Sequence, residues 1–168
     1  KTDKATQMFF AETQNKLLYA ITRQTAAELI VSRADAEKPN MGLTSWKGAI
    51  VRKGDIVIAE NYLQKDEIDS LNRLVDIFLT SAEERVKGRR DLTLDYWRKN
   101  VDSLLTFQEK DILQGRGTIS NEEAEGIVRQ VYDAFDAKRK HQEAQLADEE
   151  DLKMLENIEN RIKSTKNK

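Results

Sequence analysis

The sequence predicts an all-α fold, a compact multi-helix bundle of five or six helices with one long polar loop and a charged C-terminal helix. Composition is the first observation behind this prediction. The 168 residues include one proline and seven glycines, and 35% of them are charged, as is typical of long solvated helices. The second observation is that apolar residues recur at the helical period along most of the chain.

The first helix is predicted over residues 3–22. Asp3 is its expected N-cap, because a side-chain oxygen at that position accepts a hydrogen bond from a backbone N–H of the first turn. Phe10, Leu17 and Ile21 are spaced by seven and four residues, which places them on one face of the helix.

A capping box, Thr25-Ala-Ala-Glu28, predicts the start of a second helix that ends near Arg33. In this motif each of the two residues pairs its side chain with the backbone N–H of the other. The periodic pattern then breaks over residues 34–46, where Pro39 and a nearby glycine indicate an irregular loop.

Residues 48–63 are compatible with two structures. Residues 49–51 and 56–58 are rich in branched apolar side chains and fit the two strands of a small hairpin. Alternatively, Asp55 caps a helix that runs through Leu63. We favour the helix, because nothing else in the chain offers a strand to complete a sheet.

Three further helices are predicted from continuous apolar stripes. The first ends at Gly88, the second runs from the N-cap Thr93 to Gly115, and the third begins at the capping box Ser120-Asn-Glu-Glu123. The stripe residues are Ile68, Leu71, Leu74, Val75, Phe78, Leu79, Ala82 and Val86, then Leu94, Trp97, Val101, Leu104, Leu105 and Ile112, and finally Ala124, Ile127, Val128, Val131, Tyr132 and Phe135.

The last part of the chain has a different character. We therefore divide the sequence into a helical domain, residues 1–137, and a charged helical tail, residues 138–168. The tail has a thin apolar seam formed by Leu152, Leu155, Ile158 and Ile162. Such a seam needs a partner, either the domain itself or another copy, so the tail is a candidate assembly segment. We expect a homo-oligomer or a partner protein.

The sequence lacks residue types that common catalytic and metal sites use. It contains no cysteine and one histidine, His141, which lies among lysine and arginine and is predicted to be a solvated surface residue rather than a general base. A zinc site is therefore not expected, and no glycine-rich phosphate loop follows a predicted strand. We expect no cofactor and a protein that acts by binding; an acid pair with an enzymatic role stays an open alternative.

Several features bear on the location of the protein. No apolar run approaches the ~18 residues that a membrane span needs, and no signal peptide is visible. The absence of cysteine fits a reducing compartment. These features predict a cytoplasmic protein without membrane contact. Because the chain begins with Lys1 rather than methionine, we also expect it to be a piece of a longer protein.

One part of the chain is richer in hydrogen-bonding side chains than the linkers of a simple bundle. Its candidate ligand- or partner-binding residues, which we call the polar segment, are Gln14, Asn15, Arg33, Asp35, Asn40, Trp46 and Lys47. One interpretation is structural: Asn15 and Arg33 hold the long loop to the first helices, since such groups are costly to bury unpaired. The other is a recognition surface anchored by Trp46, or a small-molecule or toxin-like site.

Two basic clusters are candidate nucleic-acid contacts, because such residues bind phosphate oxygens. They are Arg85, Lys87, Arg89 and Arg90 between two predicted helices, and Lys138, Arg139 and Lys140 at the start of the tail. The alternative is a solubilising loop beside a helix C-terminus, where the helix dipole favours cations. We favour this alternative, since 28 basic and 30 acidic residues give a net charge of −2, which is unusual for a duplex binder.

Several runs of the sequence are distinctive when taken together. They are Phe9–Leu17, Ala20–Thr22, Thr25–Ile30, Arg33–Asp35, Lys38–Thr44, Trp46–Gly48, Asn61–Leu63 and Leu71–Val75. This set, within a stretch from about Met8 to Phe135, resembles the signature of the virulence-associated RhuM family of bacterial proteins. The polar segment falls within the most recognisable part of the resemblance.

The resemblance implies a C-terminal portion of a longer protein, whose preceding part is similar to a phage antirepressor-type DNA-binding region. DNA contact is therefore expected mainly through that region. Family members also sit beside restriction–modification genes or are joined to Fic-type toxin domains. The Fic motif, a histidine and proline followed by a Gly-Asn loop, is absent from this sequence, so its chemistry is not transferred.

Overall fold

The computed structural model describes residues 4–166 of the chain. Over that range the backbone forms five α-helices and two short 3-10 turns, with no strand, which confirms the predicted all-α class. The α-helices are α1 (Lys4–Thr22), α2 (Ala26–Arg33), α3 (Lys65–Lys87), α4 (Leu94–Phe107) and α5 (Asn121–Lys166), and the 3-10 turns are Pro39–Gly42 and Ala59–Tyr62. Asp3, the predicted N-cap of α1, lies outside the described residues.

Helix α2 lies within the larger of two hydrophobic clusters, between α5, α1 and the Ala59–Tyr62 turn. Its predicted capping box is confirmed. The backbone N–H of Glu28 donates to Thr25 Oγ1 at 3.4 Å, and the N–H of Thr25 donates to Glu28 Oε2 at 2.9 Å. The buried cluster members are Leu18, Leu29, Ile30, Met41, Leu43, Val51, Ile56, Ala59, Tyr62, Leu63, Val128 and Tyr132.

The second cluster lies between α1, α3 and α4, with Leu17, Leu74, Val101 and Leu105 at its centre. At the N-terminal end of α1 the prediction for Phe10 is wrong. Phe9 is 4% exposed and Phe10 is 62% exposed. Phe9 faces α4, where the Arg98 guanidinium lies 5.9 Å from its ring centroid. The spacing of Phe10 from Leu17 is helical, but this face of α1 meets no other helix there.

Residues 48–63 form neither the favoured helix nor the alternative hairpin. They fold as consecutive turns that end in Ala59–Tyr62. The buried carboxylate of Asp55 organises these turns: Oδ1 accepts from the Lys47 N–H at 3.1 Å and Oδ2 from the Arg52 N–H at 2.9 Å. Asp55 binds two backbone N–H groups of this region, and Val51 and Ile56 are buried in the core. The segment therefore needs no partner strand.

Helix α4 is shorter than predicted, ending at Phe107 instead of Gly115. Its N-cap, Thr93, is confirmed, since the hydroxyl accepts from the Tyr96 N–H at 3.1 Å. At the other end Glu109 has a φ of 55°, its N–H donates to Thr106 O, and the next N–H donates to Leu105 O. This is a Schellman termination without glycine, so the sequence shows no stop signal.

Three stripe residues that were predicted to face the core are exposed, namely Leu79, Val86 and Ile127. Helix α3 has 23 residues and α4 has 14. The apolar stripe of α3 is therefore wider and longer than the surface that α1 and α4 can cover. By contrast Ile112, which lies beyond the end of α4, still packs on the second cluster from a loop.

Helix α5 has 46 residues, and only its N-terminal part packs on the rest of the chain. Its capping box is confirmed, because the Glu123 N–H donates to Ser120 Oγ at 3.2 Å and the Ser120 N–H donates to Glu123 Oε2 at 2.9 Å. Every residue from Lys140 to Ser164 is exposed. We call residues 140–166 the α5 extension.

The extension continues α5 without a break, so the division predicted at residue 137 coincides with no helix boundary and stays a prediction. None of the helices within residues 4–166 combines the length and apolarity that crossing a membrane requires.

The turn that precedes α5 is attached to the N-terminus of α2. Glu28 Oε1 accepts hydrogen bonds from the Thr118 N–H at 2.7 Å and from its hydroxyl at 2.8 Å. Gly117 has a φ of +82°, and a Cβ there would lie 2.6 Å from Thr25 Cγ2 and 3.0 Å from Glu28 Oε1. Both the backbone conformation and the close approach therefore require glycine.

Replacing Gly117 with alanine is expected to lower the free energy of unfolding by roughly 2–3 kcal/mol, measured by urea denaturation. Gly115→Ala is a matched control with the same φ of +82° but open space around it, and should cost only about 1 kcal/mol. Gly126→Ala, inside α5 with open space, should stabilise by up to about 1 kcal/mol. Equal losses at Gly117 and Gly115 would contradict the close approach.

Candidate functional site

The first two residues of the polar segment, Gln14 and Asn15, bind other parts of the protein. Gln14 Nε2 donates to Glu60 Oε1 at 2.6 Å, which links α1 to the second 3-10 turn. Asn15 Oδ1 accepts from the Ala26 N–H at 2.9 Å, at the first residue of α2. Each side chain therefore fixes a neighbouring element to α1, as the structural interpretation predicts for Asn15.

Arg33 forms the most extensive side-chain interaction of the polar segment. Its two terminal nitrogens donate to the two carboxylate oxygens of Glu67 at 2.6 Å each, and Nη1 also donates to Tyr62 O at 2.9 Å. Glu67 Oε2 in turn accepts from the Gln64 N–H at 2.8 Å, as part of a capping box that starts α3. One guanidinium therefore joins α2, the second 3-10 turn and α3.

The Arg33–Glu67 pair changes the protonation equilibria of both groups. The hydrogen bonds from Arg33 lower the pKa of the Glu67 carboxyl below its ordinary 4.5, with burial opposing and the Gln64 N–H assisting. The same hydrogen bond raises the pKa of Arg33. For Glu28, burial opposes ionisation, but hydrogen bonds from Thr25 and Thr118 outweigh it and lower its pKa.

Asp35 and Asn40 shape the loop that follows α2. Asp35 Oδ1 accepts from the Glu37 N–H at 2.9 Å, and the Asp35 N–H donates to Met41 O at 3.2 Å. Asn40 has a φ of 52°, a left-handed conformation that asparagine tolerates better than most residues. A Cβ at Gly42 would lie 2.4 Å from Arg33 O, so the loop is drawn tightly against the end of α2.

Trp46 and Lys47 complete the polar segment at the start of the Asp55 turns. The Trp46 side chain is half-buried and packs on the first hydrophobic cluster. The Lys47 backbone N–H binds Asp55, and the residue is otherwise exposed. The indole is thus partly used by the core, which reduces the surface that it can offer to a partner.

The hollows beside Asn15 and beside Gln14 lie at different places on the described part of the chain. A groove of about 910 Å³ lies between α1, residues 113–120 and the start of α5, and Asn15 lines it. A smaller hollow of about 380 Å³ is lined by Gln14 together with parts of α2 and α5. The linings of these two hollows contain none of Arg33, Asp35, Asn40, Trp46 and Lys47. Neither hollow collects the whole predicted set.

The basic cluster between α3 and α4 is only partly paired. The Arg85 guanidinium lies 3.7 Å from the Tyr96 ring centroid, and its Nε donates to Asp91 O at 2.8 Å. Lys87 Nζ binds Glu84 at 2.8 Å. The side chains of Arg89 and Arg90 are exposed and have no hydrogen bond or ion pair among the described residues.

The basic cluster on α5 is held by ion pairs. Lys138 binds Glu37 of the loop after α2. Arg139 bridges Asp136 at 2.7 Å and Glu143 at 2.6 Å, and Lys140 also binds Asp136 at 2.8 Å. These hydrogen bonds, from Lys140 first and then Arg139, lower the pKa of Asp136. The three cations are therefore already neutralised, which makes them poorer phosphate ligands than Arg89 and Arg90.

The α5 extension presents a row of exposed apolar side chains. The predicted seam residues Leu152, Leu155, Ile158 and Ile162 are between 47% and 62% exposed. In an ideal helix, which turns about 100° per residue, these four side chains fall within an arc of about 120°. The residues that bury α5 against the domain, Ala124, Val128 and Tyr132, point about 180° away from that arc. The seam therefore faces away from the domain.

The described residues offer little that resembles a metal or general-base site. His141 is exposed on the extension, as predicted for a surface histidine. Among residues 4–166 no group of three or more histidine, aspartate or glutamate side chains is close enough to hold a metal ion.

Sequence reasoning missed Glu67 and the role of Glu28 as the acceptor for Thr118, and it assigned Asp55 to the cap of a helix that does not form. A local signal existed for Glu67, because Gln64-Lys-Asp-Glu67 has the spacing of a capping box. No local signal existed for the bond between Glu28 and Thr118, which joins positions 90 residues apart.

The lowered pKa of Glu67 predicts a pH dependence of stability. The ionised carboxylate contributes stability above its unfolded pKa of about 4.5, and this contribution is lost as the pH falls through the lower folded-state pKa. Glu67→Gln should cost roughly 1–3 kcal/mol at pH 7 and flatten the fall in unfolding free energy below about pH 4.5. Arg33→Met should flatten it similarly, because it removes the group that lowers the pKa. A full wild-type slope in Glu67→Gln, measured by denaturation from pH 3 to 7, would contradict this assignment.

Comparison with known proteins adds one finding. A model of the family described as the Virulence protein RhuM family matches residues 1–143, which include all of the polar segment and end just inside the α5 extension. No curated protein and no solved structure gives a significant match. The resemblance seen in the sequence is confirmed, and the chain belongs to the Virulence protein RhuM family.

Proposed function

We propose that this chain is a non-enzymatic interaction module of a virulence-associated bacterial protein and that it self-associates through the seam on the α5 extension. The observation that supports the proposal is the unbroken exposure of residues 140–164 on a helix with large apolar side chains at helical spacing. A helix that extends from a domain without packing on it gains little stability from its own propensity. A second helix on the seam would supply the missing burial.

The polar segment supports neither a catalytic site nor the main partner surface in this proposal, because several of its side chains are used inside the protein. Gln14, Asn15 and Arg33 each have a hydrogen-bond partner in a neighbouring turn or helix, and the Asp35 carboxylate accepts from the Glu37 N–H in its own loop. A catalytic side chain must instead reach the proton or atom on which it acts. The segment therefore serves to join elements, and the exposed extension is the partner surface that we propose.

The size of the seam limits the affinity. Its four side chains span about three helical turns, so each copy offers a small apolar area. Several kcal/mol of lost translational and rotational freedom offset part of that burial. We therefore expect a dissociation constant on the order of micromolar.

Sedimentation of the 168-residue chain tests this proposal. The weight-average mass should rise from monomer toward dimer between about 1 and 100 μM, as a micromolar constant requires. Leu155→Glu/Ile158→Glu should stay monomeric because it places charges in the seam. The matched control is Phe107→Glu, which changes an 82% exposed aromatic at the end of α4 and should associate like the wild type. A wild-type chain that stays monomeric at the highest concentration would refute self-association.

A second candidate function is nucleic-acid binding at the turn between α3 and α4. The observation that favours it is the absence of a side-chain partner for Arg89 and Arg90 within the described part of the chain, beside an Arg85 that Tyr96 holds in place. Two to four cations at one turn can contact one or two phosphate groups. We therefore expect weak binding, since a protein that binds a duplex tightly makes many more phosphate contacts.

Binding to a fluorescent DNA duplex at low salt tests this second candidate. Arg89→Glu/Arg90→Glu should abolish association, and each phosphate contact should add roughly −0.9 to the slope of log affinity against log salt. Lys138→Glu/Lys140→Glu is the control, and it should have a smaller effect because those lysines are already paired with Glu37 and Asp136. No binding by the wild type at low salt would exclude this candidate.

A further inference from the structure

We infer that the seam of one copy binds an exposed apolar surface between α1 and α3 of a second copy. We call it the α1–α3 surface, and its residues are Phe10, Leu79 and Val86. The assignment rests on the proposed self-association and adds the part of the second copy that receives the seam. Unpaired charges of opposite sign lie at one end of each surface and determine the direction of the contact.

The apolar stripe of α3 is covered in the first half of the helix and exposed in the second. Ile68 packs on the first hydrophobic cluster and Val75 on the second. Leu79 and Val86 are 53% and 57% exposed. In an ideal helix these four side chains point within about 40° of one another. The helix therefore continues an apolar face beyond the part that the rest of the domain covers.

The exposed half of this stripe points away from α4. Asn100 Nδ2 of α4 donates to Ser81 Oγ at 3.4 Å. The Arg85 guanidinium lies 3.7 Å from the ring centroid of Tyr96 on α4. By the rotation of an ideal helix, the two exposed side chains of the stripe point about 100–160° from Ser81 and Arg85. Since the contact on α4 moves from residue 100 to 96 as that on α3 moves from 81 to 85, these two helices run antiparallel.

Helix α1 runs beside α3 in the opposite direction. Arg98 of α4 binds Glu12 of α1 at 3.4 Å, and Lys16 of α1 binds Asp102 of α4 at 2.6 Å. These pairs show that α1 is parallel to α4, and α1 is therefore antiparallel to α3. Because α1 also contacts α3, its N-terminal half lies beside the C-terminal half of α3.

Phe10 extends the exposed stripe into a surface that two helices share. It is 62% exposed. In an ideal helix it points within about 20° of Leu17, which lies in the second cluster with Leu74 of α3. It points about 120–160° from Glu12 and Lys16, which contact α4. The face of α1 that meets α3 at Leu17 therefore continues to Phe10, about 10 Å nearer the C-terminal end of α3.

Unpaired charges of opposite sign accompany the two apolar rows. Arg89 and Arg90 follow the last turn of α3, directly beyond the exposed stripe, and neither side chain has a partner in the described part of the chain. On the extension, Asp148 and Asp151 precede the seam and, by helix rotation, point within about 40° of Leu155. Their carboxylates have no partner among residues 4–166. The α1–α3 surface therefore ends in positive charge, and the seam begins in negative charge.

The spacings of the two apolar rows agree. Leu79 and Val86 are seven residues apart, as are Leu155 and Ile162, so each pair spans about 10 Å. When the extension lies antiparallel to α3, the two rows meet and the two aspartates reach the arginines. Burial of the rows and pairing of the charges therefore occur in one orientation, which makes the contact specific. A contact between two seams would instead bring in a second set of acidic groups.

The occupant of the α1–α3 surface is a second copy rather than the same chain. Helix α5 is continuous, and every residue from Lys140 to Ser164 is exposed, so the extension leaves its own domain without packing on it. Its seam faces away from that domain. The seam therefore cannot reach the α1–α3 surface of its own chain without a break in the helix.

Mixing two variants of the 168-residue chain tests the contact. Leu155→Glu/Ile158→Glu disables the seam and leaves the α1–α3 surface intact, and Leu79→Glu/Val86→Glu does the reverse. All four positions are exposed, so both variants should fold, as circular dichroism can check. In sedimentation at about 100 μM each variant alone should be monomeric. An equimolar mixture should associate, because one variant supplies the seam and the other supplies the surface.

Association of the mixture from two monomeric variants supports the assignment. If Leu79→Glu/Val86→Glu associates like the wild type, or if the mixture of two monomeric variants stays monomeric, the α1–α3 surface is not the binding site and self-association stands. A wild type that stays monomeric would overturn both proposals.

Charge exchange tests the ionic end of the contact. Asp148→Lys/Asp151→Lys and Arg89→Glu/Arg90→Glu should each weaken association about tenfold. Their equimolar mixture should recover it, because lysines on one chain then meet glutamates on the other. No recovery in the mixture would contradict the pairing of these groups.

Glu149→Lys/Glu150→Lys is the matched control for the acidic variant. It makes the same change in charge, but by helix rotation these two positions point about 120–140° from Leu155. It should therefore weaken association less than Asp148→Lys/Asp151→Lys does. An equal loss would show a general effect of charge and would contradict a contact through the seam face.

Discussion

The carboxylate of Glu28 is the interaction on which the arrangement of this protein most depends. One oxygen completes the capping box of α2, and the other binds the backbone and hydroxyl of Thr118. Charge-assisted hydrogen bonds of this kind are stronger than neutral ones, and two elements far apart in sequence share them. Because α5 begins three residues after Thr118, the same carboxylate helps to set where the long helix starts.

The long polar loop is a second constraint, and it explains why a region so rich in hydrogen-bonding groups need not be a binding site. Residues 34–63 contain little regular helix, so their backbone groups need partners from elsewhere. Arg33 supplies one to Tyr62 O, and Asp55 accepts from two backbone N–H groups. Side chains thus form the hydrogen bonds to backbone groups that other backbone groups form in a helix or a sheet. Met41, at a φ of 60° and fully buried, shows how closely the loop is packed into the core.

The sequence was most informative where local rules decide structure. The capping boxes at Thr25 and Ser120 and the N-cap at Thr93 gave correct helix starts, because these signals act within three residues. The end of α4 was not predicted, because Glu109 adopts the left-handed conformation that glycine usually adopts at the end of a helix. The turns over residues 48–63 were not predicted, because their branched residues are compatible with a helix, a strand or a turn. Contacts with residues distant in sequence determine which of these forms. The contacts of the candidate site, such as Arg33 with Glu67, were inaccessible for the same reason.

The geometry of α5 joins these constraints to the proposed assembly. Its N-terminal part is fixed by burial on α2, by the Thr118 turn and by the ion pair of Lys138 with Glu37. A continuous helix transmits that orientation along the extension, about 40 Å over its 27 residues. The seam therefore has a defined direction relative to the domain instead of the freedom that a flexible linker would give it. If two copies meet along such seams, as proposed, the hydrogen bonds that fix α5 on its own domain would also fix the direction in which each domain is held.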